Sequence, residues 1–247
     1  MPFLLLLLAH FAADFMLQDT TMANMKLKSC RVFLKHCVIY AVVIAVVVSF
    51  YGTVLQIALF SLSIALSHFI VDAIRILIQK RPANTEKREF RLFVADQFIH
   101  IAILATASFL IPQKNFIGQF VDNTVYTYLN ISLFPIMAIT TAYAFCLQPA
   151  GVLIKKIFLR IGYQKPDNED ENKAGFLIGV LERVCILTLA ILGQFSAISF
   201  VVAAKSLARI KQLEDKDFTE KYLVGTLLSV VIALICGIVV RRICSFS

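Results

Sequence analysis

The feature of this sequence that most limits its fold is a series of long apolar stretches with few or no charged residues. An α-helix needs about 17–25 such residues to cross a hydrocarbon core about 30 Å thick. Strands of a membrane barrel would alternate apolar and polar residues, a pattern that Val38–Phe50 lacks. Hydrophobic residues make up 59% of the 247 residues and charged ones 16%, against about 45–50% and about 25% in soluble domains. The sequence therefore predicts an all-α, polytopic helical membrane protein in contact with the lipid bilayer.

Eight transmembrane helices are predicted from apolar length and helix-breaking residues. The predicted spans are 2–17, 36–51, 53–79, 91–111, 130–154, 174–193, 195–213 and 221–240. Segment 116–129 is too polar to span, and its Tyr126 and Tyr128 suit the headgroup region. The first apolar run follows no basic segment and contains His10 and Asp14, so we interpret it as a retained helix and not a signal peptide.

The distribution of Lys and Arg predicts the orientation in the membrane. The net charge of +8 comes mostly from basic residues between the spans, which indicates topology and not nucleic-acid binding. Basic residues follow the first, third and fifth spans and surround the end of the seventh. The positive-inside rule then places the N-terminus outside and these connections in the cytosol. Arg241 and Arg242 do not fit, because with eight spans this pair would lie outside.

An acidic stretch, Pro166–Lys173, reads as a solvated linker. We therefore predict an N-terminal helical bundle over 1–154, a cytosolic charged linker over 155–173 and a C-terminal bundle over 174–247. The six cysteines are scattered without a CxxC pair, which predicts reduced thiols and no disulfide framework.

The N-terminal bundle contains all four histidines, and three of them have an aspartate four residues away in the same predicted helix. These pairs are His10 with Asp14, His68 with Asp72, and Asp96 with His100. An i,i+4 spacing places two side chains on one helix face about 5–6 Å apart, and two histidines on a helix at this spacing bind zinc in metalloproteases. Each helix is therefore predicted to offer two donors to one ion.

The predicted orientation places these groups at one level near the cytosolic face, where His36 is a possible further ligand and Gln18 and Gln97 are possible supporting amides. One aspartate at a helix centre costs about 2.5–3.5 kcal/mol, so three unpaired ones would cost about 8–10 kcal/mol. A shared metal ion would offset this cost. The alternative is three local His–Asp hydrogen bonds, or protonated acids, that join helices without chemistry.

Three imidazoles and three carboxylates suit a divalent Zn, Mn or Fe ion and are too rich in nitrogen for calcium. Such an ion can activate water and polarise a phosphoryl or carbonyl oxygen. The leading hypothesis is a metal-dependent membrane hydrolase or transferase that acts on a lipid-like substrate at the cytosolic face. A divalent-metal or proton-coupled transporter and a non-enzymatic scaffold are the alternatives. Cys30 and Cys37 flank His36 and are interpreted as packing residues.

The second half carries charges inside predicted spans, at Glu182, Arg183 and Lys205. They indicate either an ion pair that fixes helix register or a cationic lining for a phosphate headgroup. We predict that Glu182 and Lys205 form a salt bridge across the sixth and seventh spans. Gly175 and Gly179 form a GxxxG face that predicts close helix packing.

Several of these strings resemble an uncharacterised bacterial integral membrane family, DUF 3307. They are Ala9–Phe15 with Gln18, His68–Asp72, Asp96–His100 and, in the second half, Ala174–Gly179, Leu181–Arg183, Ala204–Ser206 and Gly225–Ser229. The resemblance implies a protein of the bacterial cytoplasmic (inner) membrane and gives no mechanism. The His-x3-Asp strings are also similar to those of YdjM-like membrane metal-dependent hydrolases, which implies a hydrolase.

Overall fold

The computed structural model describes residues 1–80, 85–163 and 169–244, without the side chains of 169–173 and 217. Within these ranges the chain is helical and contains no strand. The helices are α1 (Pro2–Phe11), α2 (Thr20–Met25), α3 (Cys30–Val48), α4 (Val54–Gln79), α5 (Glu86–Leu110), α6 (Phe116–Leu129), α7 (Leu133–Leu147), α8 (Pro149–Arg160), α9 (Glu169–Ile191), α10 (Phe195–Ala208) and α11 (Lys216–Ile243). The predicted all-α class is confirmed.

Six helical segments in the described part of the chain are long and apolar enough to cross a membrane. They are Cys30–Val48, Val54–Gln79, Glu86–Leu110, Leu133–Arg160, Ala174–Ile191 and Phe218–Ile243. Two predicted spans correspond to shorter apolar helices, Pro2–Met16 and Phe195–Ala208. At about 1.5 Å per residue these two are shorter than a hydrocarbon core about 30 Å thick. The helical membrane class is therefore confirmed, but the count of eight spans is not.

The chain forms two compact units, Met1–Thr141 and Ala142–Ser247. The predicted linker over 155–173 includes the end of α8 and the start of α9. Its central residues 164–168 lie outside the described residues. The predicted three-part division remains a prediction.

In the first unit, α3, α4 and α5 each bury one narrow line of residues, and the other residues of these helices are more exposed. On α4 this line is Ile64, His68, Asp72 and Ile76. Residues four apart lie on one face of an α-helix, so each line is continuous along its helix. The buried apolar core includes Ile64 with Leu6, Ile44 and Leu104. Each line therefore combines apolar residues of the core with the polar residues described below.

The turn between α3 and α4 is joined to the segment after α5. Gly52 adopts φ +70°, a left-handed conformation that glycine adopts without strain. A Cβ at Gly52 would lie 2.6 Å from Cγ of Pro112, and the Gly52 amide donates a hydrogen bond to the Gln113 carbonyl. The α4 helix then begins with a capping box between Thr53 and Gln56. These contacts fix the ends of α3, α4 and α5 that are remote from the polar residues.

In the second unit the closest helix approach lies elsewhere than predicted. A Cβ at Gly237 of α11 would lie 2.4 Å from Cβ of Ala190 on α9, so this glycine lets the two helices pack closely. No described heavy atom lies within 4 Å of a Cβ built at Gly175, and the Gly179 position meets only the Arg183 guanidinium. The prediction of a packing face at Gly175 and Gly179 is therefore wrong. A GxxxG spacing does not specify which face of a helix has a neighbour.

Candidate metal centre

Seven buried polar side chains from four helical elements gather within the first unit. They are His10, Asp14, His36, His68, Asp72, Asp96 and His100. Asp14 is the most exposed of them at 9%. The structure therefore brings together the six residues that were predicted as ligands and also His36, the predicted possible ligand.

Asp14 does not lie in a regular α-helix. Residues Ala12–Met16 form a π-helical turn directly after α1. Such turns insert one residue into the helical repeat and occur often at functional sites. The turn places the Asp14 carboxylate beside both His36 and His68.

Three donor atoms form a small triangle at the centre of this group. Oδ1 of Asp14 lies 3.6 Å from Nε2 of His36 and 3.5 Å from Nε2 of His68. The two Nε2 atoms are 3.1 Å apart. Metal bonds of about 2.0–2.2 Å in a tetrahedral arrangement place ligand atoms about 3.3–3.6 Å apart. The two edges to Asp14 fall in this range and the Nε2–Nε2 edge is slightly shorter, so the triangle is close to the size required for three ligands of one ion. These residues are one of two buried groups that could hold a metal.

A second carboxylate lies at the edge of the triangle. Oδ2 of Asp72 is 3.5 Å from Nε2 of His36. The same oxygen accepts a hydrogen bond of 2.9 Å from the Lys26 ammonium, which also donates to Oε1 of Gln18 at 3.0 Å. Asp72 is thus a fourth potential ligand that is already paired with a cation.

The second possible metal-binding group consists of His68, Asp72 and His100, and His68 belongs to both groups. Nδ1 of His68 lies 2.7 Å from Nε2 of His100. The other nitrogen of His100, Nδ1, faces Oδ1 of Asp96 at 3.8 Å. Nε2 of His100 is therefore the atom directed towards the group.

Two residues predicted as ligands lie outside both groups. Oδ2 of Asp96 accepts hydrogen bonds from Arg75 at 2.7 Å and from Gln97 at 3.0 Å. Nε2 of His10 lies 3.3 Å from Oε1 of Gln97, and its Nδ1 lies 3.6 Å from Oδ2 of Asp14. The positions of His10 and Asp96 suit the support of other side chains better than direct ligation.

The geometry also bears on the alternative of three local hydrogen-bonded pairs. The His10–Asp14 and His100–Asp96 separations of 3.6 Å and 3.8 Å are too long for hydrogen bonds. Within the described residues, Oδ1 of Asp14 is buried and has no hydrogen-bond partner. An unsatisfied buried acceptor costs about 1–3 kcal/mol, and a bound cation would remove that cost.

Three supporting residues were not predicted as part of this site. Lys26 was interpreted only as a topology signal, and Arg75 lies inside the predicted third span, where a charge should have indicated a partner. Tyr40 stacks on the His68 ring with centroids 3.6 Å apart and planes 8° from parallel. Tyr40 follows His36 by four residues, so its helical spacing could have placed it on the same face.

The charged pair in the second unit has the predicted geometry. Lys205 donates to Oε2 of Glu182 at 2.5 Å, which confirms the predicted salt bridge, and to Oγ1 of Thr226 at 2.9 Å. Arg183 instead donates from Nε to the Cys146 carbonyl at 2.7 Å. That carbonyl lies next to the helix break before Pro149, so Arg183 stabilises the break between α7 and α8.

The comparisons with known proteins bear on the first unit. No curated protein and no solved structure matches the chain. The predicted likeness of the second half to the same family, and that of the histidine strings to YdjM-like hydrolases, therefore remain predictions. One family model matches residues 3–127, which include every residue of the two candidate metal groups. The chain belongs to the family described as Protein of unknown function (DUF3307).

Proposed function

We propose that the first unit binds a divalent transition-metal ion through Asp14, His36 and His68, and that the protein is a metal-dependent membrane hydrolase or transferase. The observation that carries this proposal is the triangle of Oδ1 and two Nε2 atoms, with edges of 3.1–3.6 Å in a buried setting. Two imidazoles and one carboxylate form a ligand set that catalytic zinc sites use, with the remaining position open to water.

The donor set favours Zn, Mn or Fe over calcium or magnesium, which prefer oxygen ligands. When bound, such an ion lowers the pKa of a coordinated water to about 7 and polarises a phosphoryl or carbonyl oxygen. The protein would hold the ligands in place by burial, by the stacking of Tyr40 on His68 and by the contact of His10 with Gln97. The Asp72 carboxylate, 3.5 Å from a ligand nitrogen, is placed to accept a proton.

A lipid-like substrate suits this position. The predicted topology places the site near the cytosolic face of the inner membrane, where the polar group of a lipid lies. Lys26 and Arg75 contribute two cations beside the cluster, and Arg75 is 20% exposed. With a dication bound, the positive charges of the ion, Lys26 and Arg75 would exceed the negative charges of the three carboxylates, so a negatively charged or phosphorylated polar group would be attracted to this edge.

The transporter alternative is less well supported. An ion path needs polar groups on both sides of its binding site. On α3, α4 and α5 the buried lines continue beyond the cluster as Ile44, Ile64 and Leu104, which provide no ligand. The scaffold alternative predicts local His–Asp hydrogen bonds, and the His10–Asp14 and His100–Asp96 separations of 3.6 Å and 3.8 Å are too long for two of the three.

Metal analysis of the detergent-purified protein tests the proposal. The wild type, loaded with Zn²⁺ and freed of excess, should retain about one ion per chain, and Asp14→Asn and His68→Gln should lose it while remaining folded. The matched controls Asp122→Asn and Cys37→Ser should retain it, because Asp122 pairs with Lys114 outside this cluster and Cys37 belongs to neither metal group. A wild type without metal, or a cluster variant that binds as the controls do, would overturn the proposal.

The enzymatic part of the proposal needs a separate measurement. The metal-loaded protein in lipid vesicles should release a water-soluble product from one class of phospholipid or prenyl phosphate, and chelation should stop this release. Activity that persists fully in Asp14→Asn would contradict it.

A further inference from the structure

A buried lysine lies directly against the candidate metal centre. Lys26 follows the short helix α2, and its side chain is 9% exposed. Its ammonium donates to Asp72 at 2.9 Å and to Gln18 at 3.0 Å. A buried ammonium is costly unless it is paired and hydrogen-bonded, so these contacts hold Lys26 in place.

The lysine contacts the Asp72 oxygen that lies beside the triangle of donor atoms. Oδ2 of Asp72 is 3.5 Å from Nε2 of His36, the same separation that neighbouring ligands of one tetrahedral ion have. An ammonium and a divalent cation repel each other at such short range. While Lys26 is bound to Asp72, its charge therefore opposes the close approach of this oxygen to the ion.

We propose that Lys26 withholds Asp72 from the metal, so that the ion has three protein ligands and one open coordination position. Structural zinc sites are closed by four protein ligands, whereas catalytic sites keep a position for water. Lys26 is thus a positioning residue that sets both the affinity for the metal and the access of small ligands to it. This inference rests on the proposed metal centre.

The consequence for affinity follows from charge. The cluster contains three carboxylates, and Lys26 and Arg75 are the cations that pair with two of them. Removal of the Lys26 charge leaves Asp72 as a free ligand and increases the attraction for a dication. We expect Lys26→Met to bind metal at least tenfold more tightly than the wild type.

Binding of Co²⁺ and then azide to the full-length protein in detergent tests this inference. The visible absorption of Co²⁺ reports the ligand geometry, and azide changes it where a coordination position is open. The wild type should bind Co²⁺ and respond to azide. Lys26→Met should bind Co²⁺ more tightly and respond little to azide, whereas Lys26→Arg, which keeps the charge, should resemble the wild type. Lys28→Met is the matched control, because Lys28 is an exposed lysine of the same segment.

The outcomes separate this inference from the proposed metal centre. Absence of Co²⁺ binding in the wild type and in Lys26→Met would overturn both. Binding by the wild type with unchanged affinity and azide response in Lys26→Met would overturn the role of Lys26 alone. If Lys26→Met is less stable than the wild type without metal, the rise in its melting temperature on addition of Co²⁺ gives the same test. Stabilisation by Co²⁺ should then exceed that of the wild type, and an equal or smaller stabilisation would contradict the inference.

Discussion

Replacement of Lys205 by Met should destabilise the second unit more than replacement of both members of its ion pair. The Glu182 side chain is 6% exposed and that of Lys205 is 21% exposed, so the single change leaves a buried carboxylate without its cation. Breaking a buried pair in this way costs about 3–5 kcal/mol, whereas an apolar pair of similar volume is often neutral or stabilising. We expect about 3 kcal/mol for the single change, the lower end of this range, because Lys205 is partly exposed.

Thermal unfolding in detergent measures this difference. Cys146 is buried in the same unit at 0% exposure, so in a background in which the other five cysteines are replaced by Ser a thiol-reactive fluorophore will report its release on unfolding. At about 2–4 °C per kcal/mol for a chain of this size, Lys205→Met should lower the melting temperature by about 6–12 °C. Glu182→Leu with Lys205→Met, and the exposed control Lys211→Met, should remain within a few degrees of the wild type. Equal losses in the single and double variants would refute the reasoning.

Three further predictions concern the connections between helices. A cysteine introduced in the 80–90 connection should react with an impermeant reagent only from the cytosol, and one near Asn115 only from outside; the reverse labelling would contradict the predicted topology. Gly52→Ala should cost about 1–3 kcal/mol of unfolding free energy, because φ at Gly52 is +70°; an unchanged melting temperature would contradict this. Burial, aided by the negative charge of Asp122, raises the pKa of Tyr51 to about 12. An absorbance titration should therefore show tyrosine ionisation well above pH 10, part of which Asp122→Asn should shift to slightly lower pH; ionisation of every tyrosine near pH 10, or a titration that Asp122→Asn leaves unchanged, would contradict it.

Much of the first unit follows from helical spacing alone. The i,i+4 pairs predicted that His68 and Asp72 share a face of α4, and the structure buries both on one line with Ile64 and Ile76. This prediction succeeds because four residues make nearly one turn of helix. The spacing of polar and apolar residues therefore identifies the buried face of a helix without knowledge of the neighbouring helices. The period does not reveal rotamers, and for this reason the separate contributions of Asp14 and Asp96 could not be distinguished from sequence.

Contacts between residues that are far apart in the sequence were harder to predict. His36 stands at the start of a predicted span, where an exposed histidine is ordinary, yet it is fully buried and lies against Asp14 and His68. The pairing of Lys26 with Asp72 joins residues 46 positions apart, and no local pattern encodes such a contact. By contrast, the Glu182–Lys205 pair was predictable, because two opposite charges inside neighbouring spans have few other partners.

The central claim is that Asp14, His36 and His68 hold one ion together, and X-ray absorption spectroscopy of the zinc-loaded protein tests it most directly. The account predicts nitrogen and oxygen neighbours at about 2.0–2.1 Å, with outer-shell scattering from two imidazole rings. In His36→Gln the imidazole scattering should fall by half or the metal should be lost. Sulfur neighbours at about 2.3 Å, or an ion without imidazole ligands, would contradict the account.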